Sequence, residues 1–96
     1  MFNINDYIQN NRQGFMVKGI VCKSGLKMSV QASSGHYCSP REDFGPWVSV
    51  EVGFPNQPVS ELMKYADDKS NPTETVYGWV PVEVVEKVIN DNGGVV

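Results

Sequence analysis

The stretch TVYGWVPVEVVEKVI, residues 75–89, joins a strand pattern directly to a helix pattern. Residues 75–80 are rich in the β-branched and aromatic residues that favour strands. Pro81 suits the first turn of a helix, and an apolar stripe at helical spacing follows it, consisting of Val82, Val85, Val88 and Ile89. A strand that runs at once into an amphipathic helix predicts a sheet with that helix packed on one face.

Three segments upstream have strand patterns as well. Residues 15–22 form a mainly apolar run, and residues 26–33 alternate strictly between apolar and polar. The turn signal at residues 23–25 predicts that these two strands form a hairpin. Residues 47–54 alternate again, with Val48, Val50, Val52 and Phe54 on one side. We expect a core between the sheet and the last helix that contains Met28, Val30, Val50, Val52, Val85 and Ile89.

The fold class that these patterns predict is α+β, in one domain over residues 1–96. It has a short N-terminal helix in residues 1–13, about four mostly antiparallel strands in residues 14–80, and a C-terminal helix in residues 81–92. A chain of 96 residues with 41% hydrophobic residues has enough apolar surface for one core and is too apolar for a disordered chain.

The composition also bears on location. No stretch approaches the roughly 18 consecutive apolar residues that cross a bilayer, and the N-terminus has neither the basic nor the apolar region of an export signal. We therefore expect a cytoplasmic protein that does not enter membranes. In that reducing compartment Cys22 and Cys38 are expected to remain unbridged thiols.

Charge is distributed unevenly along the chain. Residues 1–50 carry a net charge of +2 and residues 51–96 a net charge of −5, which together give −3. Such asymmetry is compatible with self-association or with a partner of complementary charge, and also with two faces that are simply solvated. The isoelectric point of about 4.9 disfavours nucleic-acid binding, which usually requires a basic face.

The loop at residues 34–46 holds the chain's only histidine, His36, close to Cys38. A Cys–His nucleophile also needs a group that orients the histidine and an oxyanion hole, and no marker of either is present. The CxxC and HxxxH spacings of zinc sites and the glycine-rich phosphate motifs are absent too. We therefore predict no catalytic site, no metal and no cofactor, and consider His36, Tyr37 and Arg41 as binding residues.

Three aromatic residues alternate with the valines of the predicted strands. If Val76 and Val80 face the last helix, Tyr77 and Trp79 face away from it, and Trp47 is on the same side of its own strand. These residues would then form an exposed surface with Arg41 at its rim, of the kind that marks interfaces. The alternative is that the N-terminal helix and residues 60–66 cover this face, which would place the aromatic residues in the core.

Several segments resemble a family of small uncharacterised proteins encoded by tailed bacteriophages and prophages. They are GLKMSVQAS (25–33), HYCSPR (36–41), GPW (45–47), VEVGFP (50–55) and TVYGWVPVE (75–83), and the similarity extends over about residues 24–94. The resemblance implies an accessory function in infection but supplies no catalytic residues.

Two hypotheses about function follow. The first is a non-enzymatic phage accessory protein that binds and modulates a host or defence protein in the host cytoplasm. The alternative is an oligomeric module that binds or sequesters a small ligand such as a nucleotide, with the polar loop at residues 34–46 supplying hydroxyls and Arg41.

Overall fold

The computed structural model describes residues 2–96 and combines two antiparallel sheets with two α-helices. In chain order the elements are α1 Ile4–Asn10, β1 Arg12–Gln13, β2 Met16–Val17, β3 Ile20–Val21, β4 Lys27–Gln31, β5 Ser49–Gly53, a 3₁₀ helix Ser60–Tyr65, β6 Val76–Pro81 and α2 Val82–Asp91. The predicted α+β class, with a short N-terminal helix and a C-terminal helix, is confirmed. The predicted strand at residues 15–22 is divided between β2 and β3, and the predicted first helix ends before β1.

The main sheet has the order β3-β4-β5-β6, with antiparallel neighbours throughout. Val30 lies opposite Val52, and Val52 lies opposite Tyr77, so these three side chains share one face. The hairpin of β1 and β2 is attached to β4 by the Gln31 side chain. Its amide oxygen accepts a hydrogen bond from the Val17 N–H at 2.8 Å, and its amide nitrogen donates to the Val17 carbonyl at 3.0 Å.

Helix α1 is short but well anchored. The Asn3 side chain caps it by accepting a hydrogen bond from the Asp6 N–H at 3.0 Å. Ile4 and Ile8, one turn apart, are both fully buried. The Ile4 N–H donates to the Glu86 carboxylate at 3.0 Å, which joins α1 to α2. Of the helices among residues 2–96, none is long and apolar enough to cross a membrane.

The predicted core is confirmed. The six residues that we expected between the sheet and α2 are all at most 4% exposed: Met28, Val30, Val50, Val52, Val85 and Ile89. Helix α2 buries Val85, Val88 and Ile89, which lie on one stripe. Each such side chain contributes roughly 1.5–3 kcal/mol relative to an exposed position, so this stripe fixes α2 to the sheet.

A β-bulge in β6 changes which residues face outward. Between the pairs Val50–Val80 and Val52–Tyr77, β5 advances by two residues and β6 by three. The extra residue lets Tyr77 and Val80 both point into the core. Tyr77 is fully buried, so the prediction that it faces outward is wrong, whereas Trp79 is 51% exposed. Trp79 has a φ of 49°, the left-handed conformation that a bulky residue rarely adopts.

Strand β5 is shorter than the predicted strand at residues 47–54, and the alternation fails at both of its ends. Trp47 precedes the strand and is only 4% exposed, so the prediction that it belongs to an outward surface is wrong. Val48 and Phe54, which the alternation places on the same side as the buried Val50 and Val52, are 67% and 59% exposed. The alternation of side chains with a period of two applies only where the strand is paired regularly. Phe54 lies just after β5 and has a φ of 51°, which is not a strand conformation.

Candidate interaction site

Tyr37 and Trp79 form an exposed, stacked aromatic pair. Their ring centroids are 5.0 Å apart and their planes are inclined by 26°. Tyr37 is 42% exposed and Trp79 is 51% exposed, so much of each ring remains accessible to solvent. With Arg41, these residues make up what we call the aromatic surface (Tyr37, Arg41 and Trp79).

The backbone around Tyr37 holds this pair in place. The Trp79 N–H donates a hydrogen bond to the Tyr37 carbonyl at 3.0 Å, and the Tyr37 N–H donates to the Glu51 carboxylate at 3.0 Å. Gly78 lies directly below the tyrosine, where a Cβ atom would come within 3.3 Å of the Tyr37 Cβ. A glycine at residue 78 thus lets the loop approach β6 closely, and the aromatic surface is organised without a partner.

Arg41 extends the aromatic surface with a positive charge. Its guanidinium carbon lies 5.5 Å from the centroid of the Tyr37 ring, a cation–π arrangement. Arg41 itself is exposed, and its side chain forms no ion pair with another residue of the 2–96 range. The guanidinium donors are therefore accessible to an acceptor on a binding partner.

His36, the third candidate from this loop, has a different environment. Its Nδ1 atom is 2.6 Å from the Ser33 hydroxyl oxygen, which also accepts a hydrogen bond from the Gly35 N–H at 3.0 Å. Ser33 is fully buried, so a substrate cannot reach its hydroxyl in this conformation. The Ser33–His36 pair supports the turn that leads to Tyr37, which makes His36 a supporting residue of the aromatic surface.

The thiols have the properties of core residues. Cys22 and Cys38 are both free and buried, and desolvation by burial raises the pKa of each thiol. The Cys38 thiol donates a hydrogen bond to the Ser33 carbonyl at 3.2 Å. A raised pKa disfavours the thiolate, the reactive form. Among residues 2–96 no three His, Cys, Asp or Glu side chains form a group that could hold a metal ion.

The two buried candidates, Trp47 and Tyr77, anchor the loops. Trp47 exchanges two hydrogen bonds with the Asn5 side chain, at 2.7 and 3.0 Å, and its indole N–H donates to the Glu42 carbonyl at 3.2 Å. The Arg12 guanidinium lies over its ring at 5.6 Å. The Tyr77 hydroxyl donates to the Pro72 carbonyl. Trp47 thus holds the loop that precedes β5, and Tyr77 holds the loop that precedes β6. Neither residue is part of the exposed surface.

A second feature is a cleft of about 500 Å³ between α1 and residues 43–47. We call it the acidic cleft, because Asp6 and Asp43 both line it. Phe44, at its rim, is 82% exposed. Sequence reasoning missed this cleft, since its walls come from segments more than thirty residues apart. The one local signal was Phe44, a large apolar residue within a polar loop.

The chain matches no protein-family model, and no curated protein or solved structure resembles it at a significant level. The resemblance to the phage family stays a prediction that rests on the segments quoted above.

Proposed function

We propose that this domain binds another protein through the aromatic surface and modulates it without catalysing a reaction. The observation that carries this proposal is the stacked pair of Tyr37 and Trp79, exposed to solvent and held from below by Gly78 and Glu51. Tryptophan, tyrosine and arginine are the residues most enriched at the energetic centres of protein interfaces. All three residues of the aromatic surface belong to this group.

The packing of the two rings on each other supports the same conclusion. A partner that docks on Tyr37 and Trp79 has little side-chain entropy to overcome, because each ring already packs on the other. The left-handed conformation of Trp79 costs about 1–2 kcal/mol, and such strain is commonly retained where a side chain is needed for function.

The residues with nucleophilic chemistry support a binding role. The Ser33 hydroxyl and the Cys38 thiol are both buried, and burial raises the pKa of Cys38. A nucleophile has to reach its substrate and be activated. Neither side chain meets both requirements in this fold.

The partner that we propose rests on the phage resemblance. We propose a host protein or a defence complex, met in the host cytoplasm. A second candidate function is nucleotide binding, which one observation favours: the exposed Tyr37 ring, which stacks on Trp79, lies within cation–π distance of Arg41. Stacking on a base and binding of a phosphate would use these same groups.

The test is site-specific photo-crosslinking in infected cells. A photoreactive phenylalanine replaces Trp79 in one variant and Glu83, an exposed residue of α2, in a matched control. We expect one protein to be crosslinked from residue 79 and not from residue 83. Equal crosslinking from both positions would contradict the proposal. Titration of the unmodified protein with nucleotides, followed by tryptophan fluorescence, separates the second candidate from the first.

A further inference from the structure

We propose that the acidic cleft receives an arginine side chain of the protein that docks on the aromatic surface. One part of this proposal, that the arginine belongs to a protein partner, rests on the proposed function. The affinity of the cleft for a guanidinium group is independent of the proposed function and can be measured separately. Four features of the cleft point to arginine: its size, its charge, its exposed phenylalanine and its position on the same loop as the aromatic surface.

The size of the cleft suits one side chain and its flanking backbone. Its volume of about 500 Å³ lies in the range of roughly 300–1,000 Å³ that is usual for ligand sites. One wall is α1, which is fixed to the core by Ile4 and Ile8. The opposite wall is fixed by Trp47, through its two hydrogen bonds with Asn5. Both walls are thus in place before anything binds.

The charges of the cleft favour a cation. Asp6 and Asp43 contribute two carboxylates, against the single guanidinium of Arg12. Arg12 is already engaged, because it donates to the Ala32 carbonyl and lies over the Trp47 ring. The cleft therefore carries one net negative charge, from carboxylates that have accessible oxygens.

The two carboxylates have separate local roles that leave them able to bind. One oxygen of Asp43 accepts a hydrogen bond from the Ser34 N–H at 2.8 Å. The Ser34 side chain and the charge of Arg12 also act on this carboxylate, which nevertheless remains exposed to solvent. Hydrogen bonds from Ser34 lower the pKa of Asp43, so it remains ionised at neutral pH. In Asp6 the backbone N–H is bonded to Asn3, whereas its side chain is exposed at the cleft.

Phe44 distinguishes arginine from other cations. It is 82% exposed at the rim of the cleft, so most of its surface is accessible to a ligand. A guanidinium group is planar, so it can lie flat on an aromatic ring and bind a carboxylate through two parallel hydrogen bonds. An ammonium group can also lie over a ring, but it is a point charge and does so less often. Carboxylates beside an open aromatic ring are thus better suited to arginine than to lysine.

The position of the cleft connects it with the proposed interface. The loop that carries Tyr37 and Arg41 continues into Asp43 and Phe44, and Asp43 is bonded to the start of the same loop at Ser34. A protein that covers the aromatic surface is therefore close enough to place a side chain in the cleft.

The test is an NMR titration of the whole protein with N-acetyl-arginine methylamide. N-acetyl-citrulline methylamide, a neutral analogue of the same shape, is the control ligand. We expect saturable shifts in the amides of Asp6, Arg12 and Phe44, and an affinity at least about tenfold lower for the citrulline compound, because it lacks the charge that strengthens the hydrogen bonds. Absence of saturable shifts, or equal affinities, would overturn the proposal.

Variants locate the binding. The double variant Asp6→Asn, Asp43→Asn retains an oxygen at residue 43 that can accept from Ser34, and it should lose at least about tenfold in arginine affinity. The matched control Glu74→Gln, Glu83→Gln changes the net charge equally at two exposed positions and should change the affinity less than twofold. Unchanged affinity in the first variant refutes the site. Trp79→Ala should leave arginine binding unchanged, so a failure of the aromatic surface and a failure of the cleft give different results.

Discussion

Replacement of Trp79 by glycine should cost less stability than its replacement by alanine. Both variants lose the indole ring and its stacking on Tyr37, a contact worth about 0.5–1.5 kcal/mol. They differ only in the Cβ atom, which alanine keeps in the left-handed conformation with φ near 49°. That conformation costs an L-residue about 1–2 kcal/mol, which the glycine variant avoids. Glycine also has more freedom in the unfolded chain, and this lowers the stability of the glycine variant and offsets part of the advantage. We therefore expect the glycine variant to be more stable by about 1 kcal/mol.

Urea denaturation followed by circular dichroism measures this difference in the free energy of unfolding. The comparison holds when the free energy of unfolding depends on urea concentration with the same slope in both variants. Val21 provides the control, because it is an exposed strand residue that does not have a positive φ. At Val21 alanine should be more stable than glycine, since glycine weakens a regular strand. If alanine is also the more stable residue at position 79, the residue is not left-handed there, and the bulge cannot explain why Tyr77 is buried.

Three further predictions concern the core, the thiols and one carboxylate. Val85→Asp should destabilise the domain by about 3 kcal/mol or more, because it buries an unpaired charge at a fully buried position; a melting temperature within a degree or two of the original would refute the packing of α2. Cys38→Ser should leave partner binding intact, and iodoacetamide at pH 8 should modify Cys38 far more slowly in the native protein than in urea, because burial raises the pKa of the thiol; equal rates would show that the thiol is accessible. Hydrogen bonds from Ser70 and Asn71 lower the pKa of Asp68, so the stability that they add is present above the unfolded pKa of 3.8 and is lost as the pH falls through the lower folded pKa. An NMR titration midpoint for Asp68 at or above 3.8 would contradict this assignment.

The sequence predicted the fold well wherever regular periodicity applies. The valine stripe of α2 and the alternation of β4 led to the right core, because burial of apolar residues dominates the folding energy. Pro81, which we expected in the first turn of the helix, is the last residue of β6 and lies immediately before α2, so the predicted boundary is off by one residue. Local patterns of this kind depend only on the geometry of one helix or one strand.

The aromatic residues could not be assigned in that way. One extra residue in β6 turns Tyr77 and Val80 to the same side, and no sequence rule locates such a bulge. Gly78 was the available signal, since a glycine inside a strand often marks a bulge or a close approach of backbone. Trp47 was misplaced because it lies just outside the paired strand, where its contacts are with Asn5 and Arg12 of the N-terminal segment.

The candidate site was predicted in part. Arg41, Tyr37 and Trp79 come together on the surface, but their contact arises from a loop crossing over β6, which local patterns do not describe. The acidic cleft depends in the same way on a long-range contact, between α1 and residues 43–47. Loops that are positioned by a few specific hydrogen bonds are the part of a small domain that periodicity predicts least.

The most direct test of the proposed interface compares four forms of the domain in their affinity for the protein that is crosslinked at residue 79. They are the unmodified chain, Trp79→Ala, Arg41→Ala and Glu83→Ala. Isothermal titration calorimetry gives each affinity, and circular dichroism shows that each variant is folded. We expect a loss of about 1–3 kcal/mol in binding free energy for each of Trp79→Ala and Arg41→Ala, with less than a twofold change in affinity for Glu83→Ala. Equal affinities for all four forms would show that the partner binds elsewhere and that the aromatic surface is not the interface.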